Sequence, residues 1–242
     1  MNKIKSGKLI KGTEIPVGDG INKPFRALVR IGNDAPIAAI VKRMPRESVI
    51  AECFAAILLQ EWQVPSPNPI LIIDDDQVLF GSEELYPSLK KRMDLSENHA
   101  EPHRSELIKE AARIVCSFSE TPRALAADEA IDNRDRNFGN ILWDGGKPSF
   151  IDHERAFGLS TDADNNKLAQ MAIVAGEEEK FSRAALAAAL TISMPSIASY
   201  HDDLNLDAKS FCDYVSNRLP SLASKVVSRF PQPNDLFSTQ IT

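Results

Sequence analysis

Cysteine, basic charge and long apolar segments are all scarce in this sequence. The three cysteines, Cys53, Cys116 and Cys212, are far apart and form no CxxC pair. This argues against a disulfide framework or a cysteine-based zinc site and favours a reducing, cytoplasmic setting. The net charge of −6 argues against a nucleic-acid partner or a polybasic membrane anchor. No apolar run approaches the roughly 20 residues that a membrane span requires.

The first part of the chain has the pattern of β-strands around one helix. Hydrophobic residues make up 43% of the 242 residues, which is enough for a core in one domain or in two small lobes. A helix at 47–62 must end before the prolines of residues 64–69. We predict strands at 8–17, 25–31 and 36–44, a turn at 18–24, a hairpin of 70–73 with 77–80, and a connector at 81–86.

The second part of the chain is predicted to be mainly helical. One hairpin interrupts it, because the Asp-Gly turn at residues 144–147 separates two apolar triplets. The sequence therefore predicts an α+β fold with two lobes, a β-rich N-lobe at 1–85 and an α-helical C-lobe at 86–242, with a cleft between them. We predict helices at 103–119, 122–131, 178–190, 196–203, 207–219 and 222–229, and hairpin strands at 141–143 and 149–151.

Residues 131–141, which we call the catalytic loop, precede this hairpin and carry short acids and amides. Pairing the hairpin about its turn brings Asn140 and Asp152 together at its open end. Two oxygen ligands at that spacing suit Mg²⁺, which takes one or two protein oxygens in addition to phosphate oxygens and waters. Asp135 lies five residues before Asn140 and is placed to orient a substrate hydroxyl and accept its proton.

The first lobe supplies a candidate ion pair. Lys42 follows a buried-looking strand, and Glu52 is the one charged residue in the otherwise apolar or small segment 49–59. A carboxylate in such a helix needs a partner, and we expect Lys42 to be that partner. A lysine held in this way can reach the α- and β-phosphates of ATP.

Two further segments are candidates for contacts with the nucleotide. The turn at residues 18–24 would place backbone amides over the phosphates through Gly18 and Gly20, with help from Lys23. The connector between the lobes would offer backbone groups to adenine at Glu83 and Leu85, a prediction that rests on position alone.

With these residues assembled, the chain resembles the HipA-like and phosphatidylinositol-kinase-like branch of the protein-kinase superfold. Residues 133–142 (NRDRNFGNIL) resemble the Asn-x-Asp-Arg-x-x-x-Asn catalytic loop of that branch, and residues 151–154 (IDHE) resemble its metal-binding segment. The similarity spans roughly residues 18–157.

The resemblance implies an ATP- and Mg²⁺-dependent kinase. Asp135 would be the catalytic carboxylate, Asn140 and Asp152 the metal ligands, and Lys42 the phosphate contact that Glu52 braces. For HipA-like members it also implies a Ser/Thr of a protein as the acceptor and, in some cases, an antitoxin as a regulatory partner. This nucleotide loop has no Ser or Thr for the regulatory phosphorylation of some relatives.

Two other functions are compatible with the same residues. A small-molecule phosphotransferase of the aminoglycoside-kinase type shares the Asp-to-Asn spacing, although its loop usually carries His-Gly where this chain has Asn133-Arg134. A non-catalytic nucleotide-binding pseudokinase is disfavoured because Lys42, Asp135, Asn140 and Asp152 are all present. The sequence does not identify the acceptor, and a lipid acceptor is the least favoured.

Overall fold

A computed structural model describes residues 4–17, 23–75, 77–96, 98–195 and 208–231 of the chain. Its N-terminal half consists of strands and one long helix. The elements are β1 (Lys5–Leu9), β2 (Ile15–Pro16), β3 (Phe25–Ile31), β4 (Ile37–Lys42), α1 (Arg46–Glu61), β5 (Pro69–Asp74) and β6 (Gln77–Glu83).

Five of these strands close into a small barrel. The strand order is β1-β5-β6-β4-β3, and β1 also pairs with β3, which completes the ring, while β2 extends the sheet beside β3. Pairing of β1 with β5 is parallel, whereas the other pairs are antiparallel. Alternate residues of β3, such as Ala27 and Val29, point into the barrel and are buried.

Two strand predictions in this half were wrong in their limits. The strand expected at 8–17 is interrupted, because Gly12 adopts a φ of 84° in a turn that ends β1 at Leu9. The strand expected to stop at residue 80 continues through Gly81 to Glu83. Gly81 pairs with Val41 and Ile70, and an added Cβ would lie 2.6 Å from the Ile72 side chain.

The C-terminal half is helical apart from one hairpin, as predicted. Pairing of Ile141 with Phe150 and of Trp143 with Pro148 gives the expected register. The described elements are α2 (Leu89–Arg92), α3 (His103–Ser117), α4 (Thr121–Ile131), β7 (Ile141–Trp143), β8 (Pro148–Phe150), α5 (Leu168–Ala175), α6 (Glu178–Ala189), α7 (Lys209–Arg218) and α8 (Leu222–Val227).

Helices α2 and α5 were not predicted from the sequence. Helix α2 has only four residues and is capped by the Ser88 hydroxyl. Helix α5 is largely apolar and ends at Gly176, which has a φ of 74°. The predicted helix at 196–203 lies outside the described residues.

Packing joins α1 to both halves of the molecule. Its residues 49 and 51–59 are buried in a core that also contains side chains of α3, α4, α5 and α6, and the Phe54 ring lies against those of Phe157 and Phe211. A second, smaller core fills the barrel. In the described part of the chain, no helix combines the length and apolar character needed to cross a membrane.

Candidate active site

Lys42 forms the centre of a charged cluster between the two halves. It is the last residue of β4, and its side chain is only 14% exposed. Its Nζ lies 2.6 Å from Asp152 Oδ1, 2.9 Å from Glu154 Oε2 and 3.7 Å from Glu52 Oε1. We call these four residues the lysine cluster. Burial lowers the pKa of Lys42, but the three carboxylates outweigh it and raise the pKa, so the ammonium stays charged.

Glu52 ties helix α1 to the segment that follows β8. Its side chain is 3% exposed, and its Oε2 accepts a hydrogen bond from the backbone N–H of His153. Burial raises the pKa of Glu52, and the neighbouring Lys42 opposes this rise. The predicted pairing of Lys42 with Glu52 is present, but Lys42 lies closer to Asp152 and Glu154. Glu154 was not among the predicted site residues.

The open end of the hairpin brings Asn140 and Asp152 to neighbouring positions. The Ile151 N–H donates to the Asn140 carbonyl at 3.1 Å, so Asp152 follows the residue opposite Asn140. Asp152 adopts a φ of 72°, a left-handed conformation that turns the chain away from β8. Burial raises the pKa of Asp152, but Lys42 outweighs it and lowers the pKa, so the carboxylate is ionised.

Asp135 lies at the surface of the catalytic loop, where it is exposed. Asn137 Nδ2 donates to Asp135 Oδ1 at 3.1 Å, and Asn140 Nδ2 donates to the Asp135 carbonyl at 2.5 Å. The second bond engages the nitrogen of the Asn140 amide and leaves its oxygen as the atom for a cation. The structure therefore fixes Asp135 and Asn140 relative to each other.

Arg136 holds the catalytic loop in place from inside. Its side chain is fully buried, and it forms a two-pronged ion pair with Asp128 at 3.0 and 2.8 Å. It also donates to the carbonyls of Asn140 and Ile151 at 3.0 and 2.7 Å, and to His153 Nε2 at 2.9 Å. Burial, together with nearby cations, holds the pKa of His153 well below its usual range, so the imidazole is neutral and accepts this bond.

Arg136 and Asp128 were not among the predicted site residues. An arginine in a polar loop has the same local pattern whether it is exposed or buried. Asp128 gives a weak signal, because it is an acid in the small-residue, apolar helix α4, and such an acid needs a partner. That partner is eight residues away, on the loop that follows the helix.

A first cavity of about 410 Å³ extends from the lysine cluster to the chain between β6 and α2. This volume is in the range of small-molecule sites. Lys42 and Glu52 line its inner end, and the predicted connector residues Glu83 and Leu85 line its outer end. Apolar side chains such as Ile40 and Phe80 form walls for a flat ring.

A second cavity of about 550 Å³ lies on the other side of Lys42. Asp135, Asp152 and Glu154 line it, together with the loop of residues 160–165. Lys42 lines both cavities, so the two adjoin at this residue. A ligand that reaches Lys42 from the first cavity lies close to Asp152, which lines the second.

The predicted phosphate turn is only partly described. Gly18 and Gly20 lie outside the described residues. On either side of them, Val17 N–H donates to the Pro24 carbonyl at 2.9 Å, Val17 lines the first cavity and Pro24 lines the second. Lys23 is exposed and lines neither cavity.

The oxygen donors at the hairpin end fit a hard divalent cation. Within the described ranges, no three His, Cys, Asp or Glu side chains are arranged to hold a metal ion. Mg²⁺ does not require such a group, because phosphates and waters complete its coordination. The Asn140 amide oxygen and the Asp152 carboxylate are the ligands that would hold it.

Comparison with known proteins places the fold. No family model and no curated protein matches the sequence. The crystal structure of a Helicobacter pylori proinflammatory kinase, CtkA, is similar over 93% of this chain and 98% of that chain, with a TM-score of 0.57 and 14% sequence identity. Similarity at this identity concerns the fold, not the substrate. The chain thus has a kinase-like fold that combines α and β structure.

Proposed function

We propose that this protein is an ATP-dependent kinase that transfers the γ-phosphoryl group to a hydroxyl, with a Ser or Thr of a protein as the HipA-like acceptor. One observation carries the proposal: Lys42 from the N-terminal half and Asp152 from the C-terminal half meet at 2.6 Å where two cavities adjoin. In this proposal, residues 1–85 form the nucleotide lobe and residues 86–242 the helical lobe.

ATP would occupy the first cavity. Its adenine would lie between apolar walls near Glu83 and Leu85, and its phosphates would extend toward Lys42. Glu52 would brace Lys42 when Asp152 turns to a metal ion. Gly18, Gly20 and Lys23 remain candidates for the phosphate turn. Mg²⁺, when bound, would neutralise the charge on the phosphate oxygens.

Asp135 would act on the acceptor in the second cavity. Its carboxylate orients the acceptor hydroxyl and takes its proton while the oxygen attacks the γ-phosphorus. The new O–P bond forms as the bond between the γ-phosphorus and the ADP oxygen breaks, and ADP leaves. Because Asp135 is exposed, a serine or threonine on a protein can reach it.

Substitution of Asp135 tests this function. Asp135→Asn keeps the shape of the side chain but removes the proton acceptor, so we expect transfer to fall by roughly 10²- to 10⁴-fold with ATP binding retained. The measurement is transfer of labelled γ-phosphate from Mg-ATP to a protein extract and, separately, to a panel of small alcohols that includes aminoglycosides.

Asp75→Asn is the matched control. Asp75 is exposed in the turn after β5, and asparagine tolerates its φ of 50°, so this variant should keep the wild-type rate. Transfer to small alcohols alone would change the acceptor class to a metabolite. Wild-type protein that binds ATP but transfers no phosphate to any acceptor would contradict the proposed function.

A further inference from the structure

A third cavity, of about 460 Å³, lies beside the catalytic loop. Its apolar walls come from the segment after α2, from α3 and from the 3₁₀ turn before β7, through Leu95, Leu107, Ile108 and Phe138. These side chains are all half-buried. The cavity is separate from the lysine cluster.

The charged side chains of this cavity are basic. Lys90, Arg104 and Lys167 line it, and none of the acids in the described part of the chain does so. The acid Asp94 is bonded to His99 on the wall, at 3.1 Å, and its own side chain is exposed. An all-basic cavity is unusual in a chain that carries 34 acids and a net charge of −6.

These three cations have no partner among the residues that the structure describes. No ion pair or side-chain hydrogen bond joins Lys90, Arg104 or Lys167 to any of them. Arg104 and Lys167 are half-buried, and partial burial of an unpaired charge costs free energy. An anionic ligand would remove that cost.

The basic cavity adjoins the proposed acceptor site. Asn165 lines both the second and the third cavity. Asn137 lines the third cavity and donates to the Asp135 carboxylate. A chain whose hydroxyl lies at Asp135 can therefore place a neighbouring side chain among the cations.

We propose that the third cavity binds an anionic side chain, a carboxylate or a phosphate, of the protein substrate close to the acceptor serine or threonine. This inference rests on the proposed function and specifies its substrate class. The Arg104 guanidinium suits either anion, since both accept paired hydrogen bonds. The apolar walls would contact the methylene groups of the same side chain.

Peptide binding tests the proposal without requiring catalysis. Short fluorescein-labelled peptides with a central serine would carry flanking Glu, phosphoserine, Gln or Lys, and binding to the full chain would be followed by fluorescence anisotropy at low ionic strength. We expect the Glu or the phosphoserine peptide to bind about tenfold or more tightly than the Gln peptide. The stronger of the two identifies the anion.

Charge variants show whether this cavity is responsible. Lys167→Glu should abolish the preference over the Gln peptide, and Lys167→Gln should weaken it. Lys109→Glu is the matched control, because Lys109 is exposed on α3 and lines no described cavity; it should preserve the preference. Melting curves establish that each variant is folded.

Equal binding of the Glu, phosphoserine and Gln peptides by the wild type would overturn the proposal. So would an equal loss of the preference in Lys109→Glu and Lys167→Glu, since it would reflect overall charge. Phosphate transfer without any preference for anionic peptides would leave the proposed function standing and reject only this inference. Selectivity for anionic peptides without phosphate transfer would leave the anion site standing and contradict the proposed function.

Discussion

At the scale of single residues, the site consists of one ammonium among three carboxylates. Lys42 contacts Asp152 and Glu154 closely and Glu52 more distantly. If the protein is the kinase proposed above, this excess of negative charge would repel the phosphates of ATP and attract a divalent cation. Nucleotide binding at this cluster should therefore depend on Mg²⁺.

The raised pKa of Glu52 predicts how stability depends on pH. Burial raises this pKa from 4.5 to about 7 against the opposing effect of Lys42. A group with a raised folded-state pKa contributes stability below its unfolded-state pKa and loses it as the pH rises through the folded-state value. As the pH rises from about 5 to about 8, the Tm of the wild type should therefore fall relative to the Tm of Glu52→Gln.

Thermal melts of both proteins across that pH range check this prediction. The glutamine of the variant would keep the size of the side chain and its bond from the His153 N–H but would not titrate. The titration of groups that do not interact with Glu52 therefore cancels in the comparison. If the Tm of the wild type instead rises relative to that of the variant as the pH rises, the prediction is contradicted. Lys42 would then stabilise the ionised carboxylate more than burial disfavours it.

Some residues of this cluster could be predicted from the sequence, and others could not because a turn sets the direction of their side chains. Glu52 was identifiable because its helix is otherwise apolar or small, so its charge had to be paired. Glu154 follows a turn in which Asp152 has a positive φ, and this turn aims its side chain back at Lys42. The periodicity of hydrophobic residues in the sequence does not predict where the Glu154 side chain points.

At the scale of elements, the catalytic loop and the β7–β8 hairpin form one unit around Arg136. The guanidinium joins Asp128 of α4 to the carbonyls of Asn140 and Ile151 at the open end of the hairpin. The hairpin is also hydrogen-bonded to other parts of the chain. Phe150 N–H donates to the Pro65 carbonyl, and Trp143 N–H donates to the Pro87 carbonyl. The spacing of Asn140 and Asp152, the proposed metal ligands, thus depends on a buried cation.

Removal of that cation should destabilise the whole chain. Arg136→Met leaves Asp128 buried without its charged partner, and we expect a loss of about 3–5 kcal/mol in the free energy of unfolding. Urea denaturation measures it.

Arg113→Met is the control, because Arg113 is exposed and, among the described residues, pairs with Glu110 in the preceding turn of α3; we expect a change below about 0.5 kcal/mol. A loss below about 1 kcal/mol for Arg136→Met would show that the loop does not depend on the buried pair.

Local sequence patterns predicted several elements, whereas the limits of elements that depend on long-range pairing were not predicted. The strand Phe25–Ile31 and the β7–β8 register followed from alternation and from the Asp-Gly turn. The limits of β1 did not, because this strand pairs in parallel with β5, more than sixty residues later. Its end at Leu9 lies opposite Val29 of β3, just before the turn around Gly12.

At the scale of the whole molecule, the β-barrel half and the helical half meet at the lysine cluster. Helix α1 packs against both halves, and its Glu52 reaches the segment after β8. The kinase-like fold was predicted from the order of elements and the loop motif. The closed barrel and the basic third cavity were not, because each depends on segments far apart in sequence.

The central claim is that Lys42 and Asp152 bind the same nucleotide. Calorimetric titration with ATP, with and without Mg²⁺, tests it most directly when the wild type is compared with Lys42→Met, Asp152→Asn and the double variant. Mg²⁺ should tighten ATP binding to the wild type by about tenfold or more, and Asp152→Asn should lose that gain. Lys42→Met should weaken binding with Mg²⁺ present, and the double variant should lose less than the sum of the single losses. ATP binding that ignores Mg²⁺, or losses that simply add, would contradict the account.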